Sequence, residues 1–189
     1  MKLQDRLPEG VEVDGRFYKL DFDFRNVMRM CEVLDENLMP EAKAYNAMHC
    51  LCKRPRNAVK VMEAVKALLF TGAHKKGKKV TDFGQDAGLI RAAFRQAYGI
   101  DLYRGRLHWF EFTELLAALP ENTRYLEVVG IRAKDIPAPN KYNQKEREWL
   151  IRAKADVALE MTKDEQAEKY RQDVNNIAEM LMGLAKGSE

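Results

Sequence analysis

The stretch from Val80 to Ile131 constrains the chain most, because apolar residues recur in it at helical spacing between clear stops. Asp82 is placed to cap a helix, with Gln85 reaching back in a capping-box arrangement. Phe83, Ala87, Ile90, Phe94 and Ala97 then fall on one face. Gly99 suits the left-handed residue that ends such a helix, and Ile100 is placed to fold back on the last turn. A second helix is expected to bury Trp109, Phe112, Leu115, Leu116 and Leu119 and to stop at Pro120. Asn122 is expected to cap a third, carrying Leu126 and Val129 and ended by Gly130. Two consecutive apolar-faced helices on a short connection pack together, so Ile90, Phe94, Trp109, Phe112 and Leu116 should share one core.

The flanks extend this pattern. Val11–Phe22 predicts a β-hairpin around the Asp14-Gly15 turn, with Val11 opposite Tyr18 and Val13 opposite Arg16. Val11, Val13, Tyr18, Leu20 and Phe22 then lie on the side that must pack on helices, because a lone hairpin is marginal in water. Three helices follow. The first carries Phe24, Val27, Met28, Cys31 and Leu34 behind an Asp23 cap. The second opens at Pro40 and buries Ala44, Ala47, Met48 and Leu51. The third carries Ala58, Val61, Met62, Val65, Leu68 and Leu69 and ends at Gly72. After Ile131 the prolines at 137 and 139 mark a linker, followed by a charged helix over Glu146–Leu159 with a thin stripe of Trp149, Leu150, Ala153 and Val157. Thr162 and Glu165 open a last helix, along which Ala167, Tyr170, Val174, Ile177, Leu181 and Leu184 form a coiled-coil-type seam. The expected fold is therefore mainly α: a helical core domain with an N-terminal β-hairpin over residues 1–136, then a linker and helical C-terminal extension over 137–189.

Function classes narrow by what the residues can do. Among 189 residues, 32 basic side chains nearly balance 29 acidic ones, so the net charge of +3 does not call for nucleic acid as a partner. Three cysteines and a polar N-terminal segment point to free thiols in a reducing cytosol. No apolar run approaches the roughly 20 residues of a membrane span. His49, Cys50 and Cys52 are the one cluster of metal-ligand types, but on a helix the two thiols point about 200° apart, so buried structural thiols are expected and no metal or cofactor. His49, His74 and His108 sit in unrelated segments, and the only serine is Ser188, so no catalytic triad can be assembled and no enzyme is expected. The basic run from His74 to Lys79, near Lys53, Arg54, Arg56 and Lys60, is read as a solvated loop because no aromatics interleave it for base stacking. In His108–Phe112, Trp109 and Phe112 share a face and Phe110 points elsewhere, which makes Phe110 a candidate for meeting a second subunit. Partner binding is assigned to Phe110 and to the seam of Tyr170, Val174, Ile177, Leu181 and Leu184.

The runs FGQDAGLIRAAFRQAYGIDL, LHWFEF and LPENTRYLEVVGIR resemble the "gp fifteen" family of tailed bacteriophages, typified by FEQDA, AAF, YGIDL, LHWWKF and an LP-(D/E)-x-T before GIR. Here Phe110 replaces the second tryptophan of that pattern, and Gly84 stands where an acidic residue is common. The resemblance implies a tail-morphogenesis protein of siphophages or prophages, working in the host bacterial cytoplasm as a tail assembly chaperone. Its implied partner is the tape-measure protein, with the tail-tube protein as a further one and self-association left open. Two other readings stand beside it: a structural component retained in the virion tail, and a DNA-binding regulator using the basic loop.

Overall fold

The computed structural model describes residues 4–70 and 78–161, and over them the protein is mainly α, with seven helices and one antiparallel hairpin. The elements in order are β1 (Gly10–Val13), β2 (Arg16–Lys19), α1 (Phe24–Asp35), α2 (Pro40–Leu51), α3 (Ala58–Leu69), α4 (Ala87–Tyr98), α5 (Trp109–Ala117), α6 (Arg124–Ala133) and α7 (Gln144–Asp156). They form two compact units, one of Met1–Lys78 with Ala87–Glu127, the other of Lys79–Asp86 with Val128–Glu189. The expected helix after Thr162, its seam, Gly72 and the histidine-lysine loop up to Gly77 lie outside the described residues.

In the first unit the hairpin has the predicted register, Val11 against Tyr18 and Val13 against Arg16. Asp14 and Gly15 both take positive φ, 51° and 71°, as a primed turn requires. Val11, Leu20 and Phe22 are buried and Val13 and Tyr18 half-buried, while Phe17 on the other face is 60% exposed. Gly10 tolerates no side chain, because a Cβ there would collide with the Tyr18 carbonyl. α3 packs on β1 and on α2, and α2 packs on α1. Ala44, Ala47, Met48 and Leu51 of α2, and Val61, Met62, Val65 and Leu69 of α3, are buried as their spacing implies. In α1 the buried line is Phe24, Val27 and Met30, three apart, so Met28, Cys31 and Leu34 are only half-buried.

The centre of the unit is aromatic. The Phe112 ring lies nearly parallel to Phe24 at 4.7 Å and to Phe94 at 5.3 Å, with Trp109 at 6.0 Å. Ile90, Phe94, Trp109 and Phe112 are all buried, and Leu116 is half-buried at their margin.

The ends of α4 and α6 differ from expectation at three places. Asp82 does not cap a helix. Its carboxylate accepts from the amides of Gly84 and Gln85 in a turn, and α4 starts only at Ala87, leaving Phe83 41% exposed. Thr123, not Asn122, stands at the start of α6: it is buried, and its hydroxyl accepts from the Leu126 amide. The backbone carbonyl of Asn122 instead accepts from the Gln96 side chain. Gly130 does not end α6, which runs on to Ala133 and buries Tyr125 and Val128.

Gly99 does end α4, at φ 68°, with its amide donating to Arg95 and the Ile100 amide donating to Phe94. A Cβ at Gly99 would meet nothing within 4 Å, so any penalty there is conformational. Gly99→Ala is expected to lower the unfolding free energy by about 1 kcal/mol, the cost of a left-handed non-glycine residue. Denaturant unfolding checks it, and an unchanged midpoint would contradict the assignment.

Candidate functional site

The residues that carry the signature runs are stitches of the fold. In the first unit a short antiparallel bridge joins Asp23 to His108, with the Phe24 amide donating to Leu107 at 3.0 Å and the Trp109 amide donating to Phe22 at 2.8 Å. Asp23 is buried, and its carboxylate caps α1 by accepting from the Arg25 amide and the Arg25 guanidinium. The same guanidinium donates to the carbonyls of Leu102 and Gly105, so it also ties down the loop after α4. His108 caps α5 through Nδ1, which accepts from the Phe110 amide, while Glu111 returns to the His108 amide. With Nδ1 accepting, the proton belongs on Nε2, which then donates to the Pro8 carbonyl at 3.0 Å. Beside these caps Arg106 meets Asp21 at 2.8 Å at the rim of a cleft of ≈ 390 Å³.

In the second unit the stitch is an ion pair. Asp86 is 1% exposed and accepts from Arg132 at 2.8 Å, from the Asp82 amide at 2.9 Å and from the Thr81 hydroxyl. Arg132 also donates to the carbonyls of Val80 and Val157, and the Lys154 ammonium donates to the Arg132 carbonyl. Burial pushes the Asp86 carboxyl up, but the Arg132 hydrogen bond, the Asp82 backbone and the Arg132 charge outweigh it and hold the group below its ordinary value. The Gln85 side chain, expected to reach back toward Asp82, instead pairs with the backbone of Glu160 at both its oxygen and its nitrogen.

Of the predicted partner-binding residues, Phe110 is half-buried, its ring stacked on His108 at 5.5 Å. Tyr170, Val174, Ile177, Leu181 and Leu184 lie outside the described residues. His49 does not approach a ligand set: its ring packs edge-on to Tyr45. Cys50 donates to the Asn46 carbonyl, and the three thiols are half-buried, with burial pushing all of them up and keeping them protonated. Among the described residues no three His, Cys, Asp or Glu side chains are placed to hold a metal ion. Nor is any described helix long and apolar enough to cross a membrane.

On α7 the expected stripe holds at Leu150, Ala153 and Val157, which are buried or half-buried, and fails at Trp149. Leu150 is buried, whereas Trp149 is 57% exposed and Ile151 46% exposed, about 100° to either side of it. Tyr142, just before the helix, is 96% exposed.

Residues 3–159 match the family described as Bacteriophage Gp15 protein. The chain belongs to that family. Neither a curated protein nor a solved structure matches it. The signature runs of this Gp15 protein therefore coincide with its caps and its buried ion pair: Asp86 of FGQDAG meets Arg132 of GIR, Gly99 of YGIDL closes α4, and Thr123 of LPENT opens α6.

Proposed function

We propose that the protein is a tail assembly chaperone that shields apolar helical segments of the tape-measure protein until the tail tube forms around them. Membership of a bacteriophage family carries this reading. The solvent-facing Trp149, Ile151 and Tyr142 supply apolar surface of the kind such a client would cover. A long helical protein with exposed apolar stripes aggregates unless they are masked. Several copies bound along one client would hold it by avidity while each contact stays weak enough to be displaced.

Co-expression with the tape-measure protein of the same phage tests this. The client is expected in the soluble fraction with the wild-type chain and in the pellet without it, and Trp149→Glu should return most of it to the pellet while leaving the chaperone folded. A client equally soluble in the chain's absence would defeat the proposal. Finished particles should lack the chain by mass spectrometry; stoichiometric retention would favour a structural tail component instead.

A further inference from the structure

The hairpin of the first unit leaves one strand edge open beside a groove of cations. The Leu20 amide donates to the Glu9 carbonyl, and the register then alternates, so Tyr18 and Arg16 direct their backbone groups at β1. Phe17 and Lys19 consequently turn their N–H and C=O outward, and no third strand lies beside β2 among the described residues. Against this edge lies a groove of ≈ 350 Å³ whose floor is Leu20, Met48 and Val61. Its walls carry four cations, Arg16, Lys19, Arg54 and Arg56, and no acidic side chain lines it. Among the described residues Lys19 alone of the four has an ion-pair partner, a solvent-exposed contact to Glu9 at 3.5 Å that holds it weakly, while the Arg16 guanidinium lies over the Tyr18 ring. Arg54 and Arg56 are exposed at the segment linking α2 to α3.

We propose that this groove and the open edge of β2 bind an extended, acidic segment of a partner protein, added as a third strand. The backbone of Phe17 and Lys19 would pair with the incoming strand, as in strand addition to an exposed sheet edge. Side chains of a strand alternate between its two faces, so acidic residues meet Arg54 and Arg56 while the alternate apolar ones settle on the Leu20–Met48–Val61 floor. The edge decides for an extended segment, because the outward N–H and C=O groups of Phe17 and Lys19 need backbone partners, and a helix keeps its own backbone groups bonded internally. Charge decides the class of segment, since four cations around an apolar floor complement carboxylates spaced along an apolar strand. The site does not depend on which client α7 meets.

Fluorescence anisotropy on the full chain tests it, with a short labelled peptide alternating valine and glutamate as the probe. Binding is expected to weaken with salt and to fall at least about tenfold in the Arg54→Glu/Arg56→Glu double variant, whose far-UV circular dichroism should match wild type because both side chains are exposed. Methylating one alternate set of peptide amides should abolish binding, while methylating the other set spares it. The proposal is overturned by no binding at a peptide concentration on the order of 1 mM, by equal binding of a valine-lysine control, or by equal effects of the two methylation sets. A single-stranded oligonucleotide bound more tightly than the peptide would overturn it in favour of nucleic acid.

Discussion

Phe112→Ala is expected to cost roughly 3–5 kcal/mol of stability, among the largest effects of any single substitution in the first unit. The ring is 1% exposed and is sandwiched between Phe24 of α1 and Phe94 of α4, with Trp109 one turn back along α5. Truncation removes the transfer free energy of a whole aromatic side chain. It also leaves a hole that two rings on different helices cannot both move to fill, so the cavity cost adds to the transfer cost. Phe110 is the internal control. It sits two residues away, half-buried, and among the described residues only the His108 ring stacks on it, so Phe110→Ala should cost about 1 kcal/mol. Denaturant unfolding of both variants measures the contrast. If Phe110→Ala proved as costly as Phe112→Ala, the aromatic centre would have been misplaced.

What could be read in the sequence was local. The Asp14-Gly15 turn sets its own register because both residues accept positive φ, and a two-residue turn leaves no freedom for slippage. Gly99 and Pro40 announce a helix end and a helix start through backbone chemistry that no distant contact can override. α2 and α3 were legible because their apolar faces are dense and regular. The failures are at places where a residue's role depends on a partner far along the chain. Asp82 has every local attribute of a cap, but Asp86 four residues on is drawn inward by Arg132, 46 positions away, and the backbone between them turns instead of coiling. Asn122 and Thr123 are adjacent capping residues, and only burial chooses between them. The hub at Asp23 and His108 was half legible: the Asp23 cap follows from its place before Phe24, whereas a histidine cap is uncommon and its bond to Pro8 spans 100 positions. Trp149 was misjudged for a different reason: it lies one residue before Leu150, about 100° away round the helix, and Leu150, Ala153 and Val157 keep the inward side without it.

Asp86 and Arg132 should be as sensitive as the aromatic centre, through electrostatics instead of packing. Asp86→Ala leaves the Arg132 guanidinium, only 11% exposed in its side chain, without its counter-charge, and a broken buried pair costs roughly 3–5 kcal/mol. Arg132→Met should cost at least as much, because it also removes the donors to Val80 and Val157 and leaves Asp86 buried as an unpaired carboxylate. The double variant should be less destabilised than the sum of the singles, with a coupling of about 1–3 kcal/mol. Acid supplies an independent check. The folded Asp86 carboxyl lies below its ordinary value of 3.8, so the unfolded chain takes up this proton first as pH falls. Its stabilising contribution is therefore complete above that ordinary value and is lost as pH drops through the folded one. Asp86→Asn, which cannot ionise, should lose stability less steeply than wild type below about pH 4. Wild-type and Asp86→Asn unfolding free energies that fall in parallel from about pH 5 to pH 2 would mean that the carboxylate of the FGQDAG run carries no ion pair in solution.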